Sequence, residues 1–465
     1  MKSYLFIFLI CVSNFFFAQE DSIKIFSFEE FCTTVRDHHP VAKQARLKIE
    51  TGYSQVKSAK GAFDPAVSSD IGQKYFSGDQ YYSLINAGLQ IPTWFGIELY
   101  SGYDQNQGIY LNPQSTTPQN GLFYAGISIP LGQDLFIDKR MYALQQAKIY
   151  QQSSLAESRL VLNDLIYESS SFYWQWFLAF HKVQIYSQAY LAAQERANGI
   201  RQSALIGDRA MVDTLEVGIQ VQNRLFGLNQ AKLELEKAKA NLSLFLWYDG
   251  NVPLELTSNV NPINWFALND SQFDRIEPAL ADSLINQHPL MSVYAYKADL
   301  LSLDKRYKAE QIKPTLNLKY NAITENTGSD VLTNYSSQNY TWGIEFSTPL
   351  FLREARADLT LTKIAQQDMQ YEINSQRQKL LADYNYALAE WQIIADQIKL
   401  FRTTTLHYQV LLQSEQTMFL NGESSLFLVN SREMDYINAQ IKLVELIAKN
   451  QLSSIRIQYS LGNLN

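Results

Sequence analysis

The chain is poor in the features that staple or mark a secreted soluble enzyme. It holds two cysteines in 465 residues, Cys11 and Cys32. Cys11 falls in an apolar leader, and one remaining thiol forms no internal bridge, so the fold is not disulfide-stapled. After the leader no stretch offers the roughly eighteen unbroken apolar residues of a membrane helix. Any membrane crossing must therefore be made by β-strands in a closed barrel, where every backbone group finds a partner. Basic charge is also short: the formal net charge is −7 and the pI about 5.4, which excludes the electrostatic footprint of a nucleic-acid binder. The five histidines never pair at metal-ligand spacing, and no P-loop, G-x-G-x-x-G or G-x-S-x-G occurs, so no catalytic, cofactor or metal site is expected. Proline is absent from Asp134 to Gly250 and from Phe351 onward, leaving glycine as the only helix breaker there.

What is present starts with the leader. Lys2, an apolar run from Tyr4 to Val12, and Ala18 before Gln19 read as an export signal over residues 1–18. Cys11 follows Ile10 rather than a small residue, so lipidation is not expected. The 28 Tyr and 25 Phe suit either a soluble core or the aromatic girdles of an outer-membrane barrel.

Internal duplication is the strongest signal. His39-Pro40 recurs as His288-Pro289, and Pro65 recurs as Pro314 at the same offset. Ile129-Pro130-Leu131 returns as Thr348-Pro349-Leu350, and Gly207 returns as Gly422. Each half reads helix, strands, long helix, glycine break, second helix. In the second half Leu380, Tyr384, Ala387, Trp391, Ile394, Ile398, Phe401, Thr405, Tyr408, Leu412, Glu415 and Phe419 step by threes and fours. Aligning the two glycines sets these on a matching series from Leu165 to Ala204, with Trp176 on Trp391. This is coiled-coil spacing. A helix over residues 139–206 would run about 100 Å at 1.5 Å per residue.

Between the helices the pattern switches to period 2. Tyr340, Trp342, Ile344 and Phe346 alternate with Thr341, Gly343, Glu345 and Ser347, and Leu316, Leu318, Tyr320 and Ala322 with Thr315, Asn317, Lys319 and Asn321. Phe123 to Ile129 and Val67 to Ile71 repeat it in the first half. Such alternation marks an outer-membrane strand or a half-buried soluble sheet; the export signal favours the former. Two strands per half cannot close a barrel within one chain, so subunits must share one. A further alternating hairpin, residues 83–103, lies in the first half, and the pattern does not fix whether it joins the barrel.

This order and register resemble the TolC outer-membrane efflux family over nearly the whole mature chain. The resemblance implies an α+β membrane protein: long antiparallel coiled-coil helices in a periplasmic α-barrel, plus a β-barrel shared by a homotrimer. In the family each subunit gives four strands to twelve; here four or more are expected. It divides the chain into residues 19–247, with barrel strands over 65–130 and long helices over 134–247; an equatorial link, 248–275; and residues 276–465, with strands over 314–349 and helices over 353–461. Pro65, Pro130, Pro314 and Pro349 mark helix–strand boundaries, Gly207 and Gly422 the helix-tip turns, and Trp176 and Trp391 the coiled-coil seam. The implied partners are a periplasmic adaptor, an inner-membrane pump and outer-membrane lipid, with no nucleic acid. The family's tip acids map onto Asp213 and Glu216, which with Arg209 form the candidate gate. Their second-half counterparts are Leu428 and Ser431, a departure that leaves the first half to supply any acidic ring. The expected function is a passive exit duct for efflux or type I secretion. The rival is a soluble periplasmic coiled-coil scaffold or adaptor.

Overall fold

The computed structural model describes residues 24–249, 251–257, 259–268, 278–325 and 336–464. The expected leader, residues 1–18, lies outside them. The first repeat comprises β1 (Lys24–Ile25), α1 (Phe28–His38), α2 (Pro40–Lys60), β2 (Ala66–Phe76), β3 (Asp79–Pro92), β4 (Glu98–Gln107), β5 (Leu122–Pro130), α3 (Lys139–Leu205) and α4 (Met211–Ser243). The link contributes β6 (Trp247–Tyr248), β7 (Val252–Pro253) and β8 (Val260–Asn261). The second repeat comprises α5 (Pro278–Asn286), α6 (Pro289–Glu310), β9 (Thr315–Thr324), β10 (Tyr340–Ser347), α7 (Arg353–Leu420) and α8 (Leu426–Ser460). Two compact units result, one of Met1–His39, Glu168–Phe273 and Ala389–Ile455, the other of Pro40–Tyr167, Asp274–Leu388 and Arg456–Asn465. No described helix is long and apolar enough to cross a membrane.

Along α3 and α7 the heptad series buries itself as its spacing requires. None of the series positions in either repeat is exposed. Aromatic side chains thicken the seam around α3: Tyr173, Trp174, Trp176 and Phe177 are buried together with Phe26 and Phe31. The Tyr173 hydroxyl donates to the Phe26 carbonyl at 2.8 Å, so this buried polar group is paired. The returning helices share a register too. Arg224, Leu228, Ala231, Leu235, Ala238 and Leu242 in α4 are buried, and so are Ala439, Leu443, Leu446, Asn450, Ser453 and Ile457, their counterparts in α8. Polar seam residues find partners: Thr405 Oγ1 donates to the Phe401 carbonyl at 2.7 Å, and Asn450 Nδ2 to the Trp391 carbonyl at 3.3 Å. In the link, β8 pairs in parallel with β1, and β6 pairs with β7.

The second unit holds one six-stranded sheet in the order β10-β9-β5-β4-β3-β2, antiparallel throughout. The hairpin at 83–103 is longer than its alternation indicated and lies inside this sheet. Six strands satisfy the expectation of four or more and exceed the four that the family resemblance implies. Ser77 and Gly78, at φ 55° and 88°, make the tight β2–β3 turn, which needs two left-handed residues to match strand twist. Asp138 starts α3 by accepting from the Met141 amide at 2.6 Å, satisfying one orphan donor of the first turn. In the second repeat His288 does the same for α6, its Nδ1 accepting from the Leu290 amide at 3.0 Å.

Candidate functional site

Two places gather the candidate residues, the faces of the sheet and the turns joining the long helices. Strand register decides the first. Ile91, Leu99, Ile127, Tyr320 and Trp342 stand in one continuous row across five strands. The next row on that face runs Val67, Leu89, Ser101, Ala125, Ala322, Tyr340. Large apolar side chains of the edge strands are fully open: Val67 is 81% and Trp342 65% exposed. The opposite face carries Asp70, Asn86, Asp104, Lys319, Asn321 and Glu345 by the same registers. Such a division, apolar on one face and polar on the other, is what a barrel wall between lipid and water requires.

At the helix-bearing end of the sheet, Arg140 at the start of α3 reaches Glu98 of β4 at 2.6 Å and Asp138 at 3.3 Å. Glu98 also accepts from the Tyr100 hydroxyl and from Gln90 at 3.2 Å. Trp94 (75% exposed), Phe95, Phe136 and Phe351 present open aromatic surface at this same end. The four boundary prolines fall at strand limits: Pro65 just before β2, Pro130 as the last residue of β5, Pro314 just before β9, and Pro349 between β10 and α7. Two left-handed residues that are not glycine, Asp134 at φ 69° and Leu352 at φ 47°, turn the chain from strand into helix in the two repeats.

The two helix tips have one backbone. Gly207 and Gly422 both sit at φ 79°, where an L side chain is strained and glycine is not. In the first tip the Gly207 amide bonds the Ala204 carbonyl at 3.2 Å and the Asp208 amide the Ser203 carbonyl at 2.9 Å. In the second, Gly422 bonds Phe419 at 3.1 Å and Glu423 bonds Met418 at 2.9 Å. This pair of reverse bonds is the Schellman cap, which satisfies the last carbonyls of a helix. The following helices, α4 and α8, both begin four residues after their glycine.

Side chains at the tips differ. Asp213 lies in the first turn of α4, and both it and Glu216 are half-buried. Arg209 does not bridge to them in any described ion pair; its guanidinium lies 4.3 Å over the Phe419 ring and donates to the Phe419 carbonyl at 3.2 Å. It therefore fastens the first tip to the end of α7. Beneath, Ala197, Ile200, Val217, Leu412, Phe419, Leu426 and Val429 form one apolar cluster.

The absence of acids at Leu428 and Ser431 does not leave the second repeat without carboxylates near its tip. Glu433 of α8 is buried, and its carboxylate meets Arg196 of α3 at 2.8 Å and Arg224 of α4 at 3.0 Å. Arg224 is only 2% exposed. Glu415 is buried as well, accepting from the Ser424 hydroxyl with Arg432 at 3.9 Å. Sequence reasoning missed the triad, although a signal existed: Arg224 stands on the stripe Val217, Arg224, Ala231, Ala238, where a charge among apolar heptad positions needs a partner. Of the seam tryptophans, Trp176 is fully buried and Trp391 half-buried. No metal-binding cluster occurs among the described residues.

Comparisons with known proteins fit this geometry. The family model described as outer membrane efflux protein matches residues 280–463, a span within the second half of the chain. Among solved structures, the open state of the MtrE outer membrane channel of Neisseria gonorrhoeae superposes with TM-score 0.69 at 13% identity, covering 94% of this chain and 89% of that one. The CmeC outer membrane channel of Campylobacter jejuni gives 0.66 at 13%, covering 94% and 85%. The outer membrane protein VceC of Vibrio cholerae gives 0.65 at 13%, covering 94% and 96%. At such identities the likeness is one of fold. A search of curated proteins found no match.

Proposed function

We propose that this chain, which has the fold of the outer membrane efflux channels, is one of three identical subunits of an exit duct in the outer membrane. It serves a tripartite efflux or type I secretion system, joined by a periplasmic adaptor and driven by an inner-membrane pump. The observation that carries this reading is the sheet: one mainly apolar face, one mainly polar face, and two open edges. Exposed edges and apolar faces are not tolerated as a soluble end state, but in lipid they are what neighbouring copies and acyl chains cover. A soluble scaffold or adaptor would leave that face in water. The duct is passive, a channel rather than an enzyme, and transport energy comes from the pump.

Long helices add a second unpartnered surface. Val212, Leu215, Ile219, Phe226 and Leu233 of α4 are exposed at near-heptad spacing, a seam for a neighbouring subunit. The tips also expose Leu205, Ile206, Leu420 and Phe427, apolar ends suited to an adaptor. The gate reading takes Asp213 and Glu216 as its acids, with Arg209 anchoring the neighbouring turn to Phe419 of α7; threefold symmetry would gather six carboxylates around one opening.

The test is fractionation and assembly. A heat-resistant trimer should appear in outer-membrane fractions. Ile344→Asp, on the lipid face, should cost about 2 kcal/mol near mid-membrane and reduce trimer yield. Glu345→Gln, on the polar face and ion-paired with Lys319, should leave yield near wild type. A soluble monomer, or equal yields from both variants, would refute the assignment.

A further inference from the structure

We propose that the barrel closed by three copies has eighteen strands, not the twelve implied by the family resemblance. The proposal rests on the trimeric duct reading and deepens it. Its basis is the position of the β3–β4 hairpin, which is inserted into the sheet rather than appended to it. β3 pairs with β2 from Ala66↔Gln90 to Phe76↔Asp79, and β4 pairs with β5 from Glu98↔Ser128 to Asp104↔Leu122. Without the hairpin, β2 would have no link to β5. A hairpin that projected from the wall could not occupy both ladders.

Side-chain alternation is continuous through it. Ile85, Ala87, Leu89 and Ile91 of β3, and Leu99 and Tyr103 of β4, fall on the same face as Val67 and Ile71 on one side and Phe123 to Ile129 on the other. Asn86, Asp104 and Asn106 fall on the polar face with Asp70 and Lys319. A one-residue slip would invert every one of these, so the hairpin is built to the lipid–water division of the whole wall. On the polar face Gly88 and Gly102 are cross-strand partners, and Tyr124 lies across both, its hydroxyl 3.2 Å from where a Cβ on Gly88 would stand. The tyrosine therefore lies along the wall and leaves the lumen open. At the hairpin's helix-proximal turn, Trp94 and Phe95 are exposed, as an interfacial girdle requires, and the Glu98–Arg140 pair at 2.6 Å fixes β4 to the start of α3.

The edges specify how copies join. β2 and β10 are the outer strands of the sheet. β2 leads away from α2 and β10 leads into α7, so they run in opposite directions and meet a neighbouring copy's edge as an antiparallel pair. Both are exposed on both faces. Three copies of a six-stranded sheet give an even, all-antiparallel ring in the size class that encloses an aqueous channel. Diameter grows about linearly with strand number, so this wall is about half as wide again as one of twelve. Size selection then falls to the helix tips and not to the membrane segment.

Cryo-electron microscopy of the detergent-extracted trimer counts the strands. Eighteen, with residues 79–107 in the wall, is the expected result; a twelve-stranded wall with those residues folded elsewhere overturns the proposal while leaving the duct reading intact. A soluble or non-trimeric protein overturns both. A second measurement needs no map: nitroxide labels at Leu89→Cys and Asn86→Cys in a Cys32→Ser background, in lipid bilayers. Oxygen should relax the Leu89 label more strongly than a water-soluble nickel chelate does, and the Asn86 label should show the reverse. Both labels open to the chelate would mean that the hairpin stands in water.

Discussion

The two helix tips make an instructive pair, because they share a backbone and divide its chemistry. Both reverse at a glycine with φ 79°, both close with the same two reverse hydrogen bonds, and both restart a helix four residues on. Yet the first tip presents Asp213 and Glu216 half-buried near its turn, while near the second Glu423 is exposed in the turn and Glu415 and Glu433 are buried and paired. Fold geometry was duplicated and kept; charge was reassigned. On the proposed gate reading the first tip meets ions, while near the second the Glu433 triad holds three helices together.

The largest expected effect lies in the second tip's triad. Glu433→Ala leaves the Arg196 and Arg224 guanidiniums facing no carboxylate in a buried site, a loss of about 3–5 kcal/mol, read as the thermal melting of the trimer. Asp213→Asn should hardly move that melting point. Similar shifts from the two would erase the division between the tips.

Next comes the seam. Trp176→Ala should cost about 3–5 kcal/mol, since the ring is wholly enclosed. Trp391→Ala, at the same register but half-buried, should cost about half as much, because buried area sets the transfer contribution. Equal losses would show that heptad register alone fixes burial, and that the repeats differ less than their surroundings indicate.

A smaller effect tests where the repeats agree. His39 and His288 precede the duplicated prolines, and burial lowers the pKa of both. The fold favours the neutral ring of each, so this contribution to stability is complete above the unfolded value of about 6.5 and is lost as pH falls below it and through the lowered folded value. His288 adds a cap that protonation at Nδ1 removes. Melting temperature should therefore decline on acidification below about pH 6.5, and His288→Asn, which keeps a capping oxygen, should flatten the decline. An unchanged slope in that variant would assign the acid sensitivity elsewhere.

The smallest effect on stability is the most direct on function. On the proposed gate, six tip carboxylates around one opening would attract multivalent cations, so such ions added from the periplasmic side should block single-channel current. Asp213→Asn with Glu216→Gln should relieve the block without changing assembly. Identical block in wild type and double variant would leave these as ordinary helix-start acids favoured by the dipole.

Much of this was legible in the residues. The duplication, the heptad register, the glycine tips and the alternation at Tyr340–Ser347 are local patterns, and period 3.5 or period 2 states the element type directly. The Asp134 and Leu352 turns were not legible, since their left-handed conformation is imposed by the strand-to-helix junction and not announced by the local pattern. Nor was the destination of the hairpin at 83–103, because alternation names a strand but not its neighbour.

By itself the sequence determined what each segment is: strand or helix, which side chains share a face, and where the chain can reverse, because these depend on neighbours a few residues away. Tertiary structure alone decided which faces meet. It set β3 and β4 between β2 and β5, and it brought Glu433 to Arg196 and Arg224 across more than two hundred residues. The physical reason is the same in both cases. A ladder hydrogen bond or a buried ion pair is satisfied by whatever group arrives across space, and the order of residues along the chain does not specify which group that is.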